Sequence, residues 1–390
     1  MKKKFLISLT FIFIVSFFLG CSSKSPSKKN IDIKENESIT ETINNTIFIV
    51  DPRIELMSII MYLSPTYSDK YKTITPYNSS YKKDVEDWFG KYRDHEVVKL
   101  FDFIFQPERG YSKGLPLTAM IYLTNTPSLK IREDVNKTDY ISSMEEIVGE
   151  NQFENFINAL NDFCIKSNFH DFFNNHKDYY DNILDSAISG LKDTDYPSNV
   201  ESYFGTKQKS YNVILSPLIY GITSYGQQIE NNGSHDVYAI LSCAGVNNDF
   251  PYYPENTHKS TIRHEFSHSF INPLIYGNTE EIDKYKALFN TISNAMKSMP
   301  AYGTWAVALD EHLVRAAVIR MSSIYDNLNT EDEANLVKNE QRYGFIYIDK
   351  FVDLLKNEYE PNRDKYPTFE DFYPEILKLL NDILYSQKSN

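Results

Sequence analysis

His264-Glu265-Phe266-Ser267-His268 has the form H-E-x-x-H. Around it Ile262, Phe266 and Phe270 recur every four residues, the apolar period of a helix. Residues four apart on a helix share a face, so His264 and His268 turn two imidazoles toward one point. Glu265 projects beside them, placed to take a proton from a water molecule. Two imidazoles with such a carboxylate are the signature of a Zn²⁺ site used for hydrolysis. Thr257 or Ser260 is in position to cap the start of the helix, and Pro273 opposes its continuation.

A catalytic zinc takes three protein ligands, so a third donor is needed. Glu311, in Leu309-Asp310-Glu311-His312-Leu313-Val314-Arg315, is the best candidate. It shares a helical stripe with Val307, Val314 and Val318, and a carboxylate in an apolar stripe must be paired or metal-bound. Arg315, one turn on, is the alternative partner. Asp310 and His312 are fallback donors. Glu280, Glu281 and Asp283 open a helix, where acidic residues are favoured by the helix dipole without any metal. Tyr302 and Tyr343 lie where a phenol could steady an oxyanion.

Upstream, Tyr211 to Tyr225 and Val237 to Cys243 are rich in β-branched and aromatic residues, and Gly226 to Ser234 between them carries the turn signal Asn231-Asn232-Gly233. This predicts an antiparallel pair ahead of the metal helix, with Tyr238 to Ala244 as the edge strand that would take an extended peptide. Apolar periodicity predicts helices over Glu55–Leu63, Tyr81–Phe105, Ser142–Ser167, Phe172–Leu191, Glu280–Met296, Tyr302–Tyr325, Tyr347–Glu358 and Tyr373–Tyr385. Gly110 to Pro116 reads as a loop.

Lys2-Lys3-Lys4 followed by the apolar run Phe5 to Leu19 reads as a signal peptide over residues 1–20. Phe18-Leu19-Gly20-Cys21 resembles a bacterial lipobox, which implies cleavage before Cys21, lipid on its thiol and a membrane-anchored, extracytoplasmic protein in the cell envelope. Residues 21–44 are polar and read as a tether. A mainly helical part is expected over 45–204 and a metal-binding part over 205–390, unless 45–390 is one domain. The net charge of −13 opposes binding to nucleic acid. Besides Cys21 the chain has only Cys164 and Cys243, so at most one disulfide is open to it.

Arg263 to Phe270 followed by Asn272-Pro273 resembles the core of an uncharacterised bacterial family of unknown function with a gluzincin-like arrangement, meaning H-E-x-x-H plus a distant Glu. Val50 to Ile59, Glu311 to Ala316 and Asn362 to Phe369 are similar to further segments of that family. The resemblance implies a secreted zinc metallopeptidase with Glu311 as the third ligand. The expected fold is α+β, predominantly helical, a zincin-like core with a small antiparallel sheet ahead of the H-E-x-x-H helix. The expected activity is hydrolysis of a peptide or protein substrate, with His264, His268 and Glu311 holding Zn²⁺ and Glu265 as general base. A zinc hydrolase of another amide or an ester, or a surface binding lipoprotein with a relict site, are the alternatives.

Overall fold

Asp51-Pro52 is where the first strand run becomes helix. The Asp51 carboxylate accepts from the Arg53 N–H, capping the helix, and Pro52 occupies its first turn without wasting an N–H. The helix that follows, α1 (Pro52–Leu63), is apolar nearly all round and buried nearly all round. The computed structural model describes residues 34–106, 114–135, 149, 151–221, 224–231, 234–296 and 302–388. Residues 1–20, read as a signal peptide, and Cys21 lie outside the described residues, as do residues 142–148 of the expected Ser142–Ser167 helix.

Five strands form one mixed sheet in the order β1-β2-β3-β5-β4. They are β1 (Ile39–Ile43), β2 (Thr46–Val50), β3 (Ser210–Tyr220), β4 (Tyr225–Asn231) and β5 (Ser234–Cys243). The three inner strands run parallel, and each edge strand is antiparallel to its neighbour. A hairpin of β6 (Gly245–Asn247) and β7 (Phe250–Tyr252) follows.

Three expectations are corrected here. Tyr211–Tyr225 and Val237–Cys243 are not an antiparallel pair: β3 and β5 are parallel neighbours, Val213 opposite Ala239. Nine consecutive residues of β3 are buried, as in a strand covered on both faces, and such a run carries no alternation to betray its direction. Tyr238 to Ala244 is not the edge either. That place belongs to β4, in the segment read as a turn. The turn signal falls between β4 and β5, which pair antiparallel with Asn231 opposite Ser234. Finally, the tether read over 21–44 overlaps the fold, because β1 pairs with β2 over its whole length.

The remaining chain is helical: α2 (Ser80–Phe89), α3 (Glu96–Ile104), α4 (Leu115–Met120), α5 (Gln152–Ser167), α6 (Phe169–Asn175), α7 (Lys177–Leu191) and α8 (Tyr196–Phe204) before β3. After β7 come α9 (Glu255–Tyr276), α10 (Thr279–Ile282), α11 (Phe289–Met296), α12 (Trp305–Tyr325), α13 (Thr330–Arg342), α14 (Ile348–Leu354) and α15 (Phe369–Lys388). The molecule is thus α+β with helix predominant, and Glu35 to Asn390 form one compact unit. Tyr81–Phe105 is two helices, α3 restarting where the His95 ring accepts from the Val97 N–H. α9 starts at Glu255, with Pro254 at the cap position ahead of Thr257 and Ser260, and runs three residues past Pro273. Proline removes one helical hydrogen bond, and the Ser269 carbonyl four residues back accepts from Gln208 Nε2 instead, at 3.5 Å.

What positions the site is the packing of α9. It lies along β5 and β4 on one side and crosses α12 on another. Arg263, 1 % exposed, fastens it. Its guanidinium binds Asn199 Oδ1 on α8 at 2.7 Å and both Asp326 oxygens at the C-terminus of α12. Cys164 and Cys243 are buried, unpaired thiols, so no disulfide joins them.

Candidate metal site

Along α9, His264, His268, Asn272 and Tyr276 recur every four residues and form one stripe. Opposite it α12 presents Asp310 and Glu311, both buried. The two Nε2 atoms lie 3.3 Å apart. Glu311 Oε2 is 3.7 Å from His264 Nε2, and Oε1 is 3.8 Å from His268 Nε2. A tetrahedral ion roughly 2.0–2.1 Å from each donor would hold them about 3.4 Å apart, close to the spacing found. His264, His268 and Glu311 therefore form a group that could hold a metal ion.

Arg315 completes the Glu311 side. Its Nε donates to Glu311 Oε2 at 3.1 Å, Nη1 to Glu340 at 2.9 Å and Nη2 to the Tyr302 hydroxyl at 3.2 Å. Its guanidinium also stacks on Phe345, 4.3 Å from the ring centre. The geometry leaves room for both roles weighed for Glu311, metal donor and partner of Arg315: Arg315 holds the carboxylate from behind while its face meets the histidines.

His312 points the other way. Its Nδ1–H donates to the Ala308 carbonyl at 2.6 Å, and the ring packs on Phe345, Tyr347 and Phe351, so it is no donor to this site. Glu280 and Glu281 belong to α10, where Glu281 meets Lys284, and neither they nor Asp283 join the group. Of the two tyrosines, Tyr302 shares Arg315 with Glu311, whereas Tyr343 is 64 % exposed.

The edge strand touches Glu265 itself. Gly226 of β4 lies so close that a Cβ there would stand 2.8 Å from Glu265 Oε2 and 3.0 Å from its carbonyl oxygen. The Gly226 N–H faces the carboxylate. Its identity as glycine is explained by this approach, which no local turn signal announces.

The charges are mutually adjusted. Burial pushes Glu265 up to about 7, against the pull of His268. Burial also raises Glu311, and Arg315 opposes it. His264 is driven well below its ordinary value by burial and then by His268 and Arg315. Burial would lower His268 too, but Asp310 and Glu311 outweigh it and lift it to about 10. Two facing imidazoles cannot both be charged, and the proton goes to the one beside the acids.

Sequence reading gave Asn272 and Gly226 no role at the site and took Asp310 only as a spare donor. Asn272 extends the four-residue stripe of the histidines, a signal that was there to be read. No curated protein and no solved structure matches the chain. Residues 46–379 match a domain of unknown function (DUF4932). With the metal-donor group and nearly the whole compact unit inside that match, the chain belongs to the DUF4932 family.

Proposed function

We propose that this protein is a zinc-dependent metallopeptidase of gluzincin type with a zincin-like core, held at the bacterial cell surface by lipid on Cys21. The observation that carries the reading is the convergence of His264, His268 and Glu311 within 3.3–3.8 Å, with Glu265 against the edge strand. Two imidazole nitrogens and one carboxylate are the donor set of catalytic zinc, which keeps one position for water or substrate. Zn²⁺ held there would supply Lewis acidity toward a scissile carbonyl. The rest is done by side chains. Glu265 takes the proton of the attacking water on its carboxylate and returns it to the leaving amine nitrogen. Tyr302, its hydroxyl held by Arg315, is the phenol on the Glu311 side suited to steady an oxyanion. An extended peptide adds as a strand to the outer edge of β4, bringing its backbone alongside Glu265 at Gly226.

Protein beginning at Glu35 is expected to carry about one equivalent of zinc after dialysis. His264→Ala, His268→Ala and Glu311→Ala should each lose it, and zinc content equal to wild type in all three would overturn the site. Glu265→Gln is expected to keep the metal but to cleave a quenched-fluorescent peptide library about 100-fold or more slower, because the amide cannot accept the proton. Cleavage at the wild-type rate would remove Glu265 as the base. The anchor is tested separately: Cys21→Ser should leave the membrane fraction, and its retention there contradicts the lipid.

A further inference from the structure

Asp310 and Glu311 are consecutive on α12, so their side chains leave the helix about 100° apart. They grip one imidazole from two directions. Glu311 Oε1 lies 3.8 Å from His268 Nε2, and Asp310 Oδ2 lies 3.1 Å from His268 Nδ1. Asp310 is 3 % exposed, with no bulk water to satisfy it. Asn272, one turn beyond His268, supplies what is missing. With its amide turned to present Nδ2, it donates to Asp310 Oδ1 at 2.8 Å and to Oδ2 at 3.2 Å, and the same nitrogen stands 3.0 Å from His268 Nδ1. A histidine, an amide and a carboxylate from two helices thus close on one another.

We infer that Asp310, braced by Asn272, is a positioning residue that fixes the His268 ring with Nδ1–H on the carboxylate and the Nε2 lone pair toward His264 and Glu311. The inference rests on the metal reading above and deepens it: α12 supplies both a donor and the group that aims another donor. An imidazole has one proton and two nitrogens when neutral, so occupying Nδ1–H leaves Nε2 as the only lone pair available to a cation. Asn272 acts through Asp310, holding the carboxylate in one rotamer. Its amide also lies 3.0 Å from His268 Nδ1, so once Asp310 is gone the amide oxygen can turn to accept from Nδ1–H.

The test uses the full chain, stripped of metal and titrated with Zn²⁺ in competition with a chromophoric chelator. Asp310→Ala should weaken zinc affinity about 10–100-fold. Asp310→Asn, whose Oδ1 still accepts from Nδ1–H, should lose less, which rescues the case if Asp310→Ala does not fold. Asn272→Ala should weaken binding in the wild-type background, and its loss and that of Asp310→Ala should not add, because both residues act on the same ring nitrogen. In wild-type protein loaded with zinc, ¹⁵N-imidazole spectra should show His268 carrying its proton on Nδ1. Wild-type affinity in both Asp310 variants, with His268→Ala having lost zinc, would overturn the inference and leave the metal site standing; so would a His268 bound through Nδ1. If the wild-type chain takes up no zinc, inference and function fall together.

Discussion

Glu55 has no exposed surface, yet it is a carboxyl group on an otherwise apolar helix. The Tyr81 hydroxyl donates to its Oε2 at 2.7 Å and is itself 2.9 Å from the Tyr180 hydroxyl. Tyr81 on α2, Tyr180 on α7, Ser216 on β3 and Asp51 at the start of α1 face it, with Tyr179 and Tyr253 also within its electrostatic reach. Burial lifts its pKa from 4.5 to about 7, against the hydrogen bonds of Ser216 and Tyr81. The unfolded chain therefore gives up this proton at lower pH than the folded one. The stabilisation is complete below about pH 4.5 and is lost as pH rises through 7, a change on the order of 3 kcal/mol. Glu55→Gln, which cannot ionise, is expected to remove that slope. Urea unfolding of both proteins in chelator at pH 4.5 and pH 8 checks it: the stability difference between them should change by about 3 kcal/mol, and a constant difference refutes the assignment. Side chains such as His264, Glu265 and His268 were legible in sequence because helical spacing alone brings them together. Asp310 was not, and the stripe that carries Asn272 did not reveal its partner, because their meeting depends on how α12 is rotated against α9, which no local pattern records.

Among the elements, β4 departs furthest from expectation. Tyr225-Gly226-Gln227-Gln228-Ile229-Glu230-Asn231 is polar and glycine-bearing, so it reads as connection rather than strand. Its strand character comes from pairing with β5 and from contact with α9, both tertiary. The central strands were visible as strands, but their direction was not, because continuous apolar runs look alike whether the neighbour runs parallel or antiparallel. The helix α9 was legible through its apolar period, and its extension past Pro273 was not, since Gln208 lies far away in the chain. The close approach of β4 to α9 makes Gly226→Ala a test of the element. The new Cβ would meet both Glu265 Oε2 and the α9 backbone, so strand and helix must part by several tenths of an ångström. Zinc binding, whose histidines leave α9 at a different angle from Glu265, is expected to survive. Peptide hydrolysis should fall by about tenfold or more, because misplacing a base by less than an ångström is costly. Equal hydrolysis rates in Gly226→Ala and wild type would show that Glu265 does not need this wall.

At the scale of the whole molecule, the fold begins earlier than hydropathy suggests. Asn36, with no exposed surface, donates its N–H to the Thr126 carbonyl at 3.0 Å and its Nδ2 to the His170 carbonyl at 3.3 Å, and its Oδ1 accepts from Thr126 Oγ1 at 2.9 Å. Five residues of β1 then cover β2, with Ile39 and Ile43 against the core. The segment reads as tether because Asn36, Glu37, Ser38, Thr40, Glu41 and Thr42 are polar, and its sheet pairing is invisible without the partner. Two forms of the soluble part distinguish tether from fold. Protein from Glu35 keeps these bonds; protein from Thr46 loses them and bares the edge of β2. The three Asn36 hydrogen bonds at roughly 1 kcal/mol each and the two isoleucines at about 1 kcal/mol each for their partial burial come to around 5 kcal/mol before the β1–β2 ladder is counted. The shorter form should therefore unfold at markedly lower urea and should associate through its exposed strand, visible as light scattering that grows with concentration. Coincident urea midpoints and equal scattering would place β1 outside the cooperative unit, and the zinc content of the two forms would show whether the sheet edge, on the far side from β4, contributes to holding the metal helix in place.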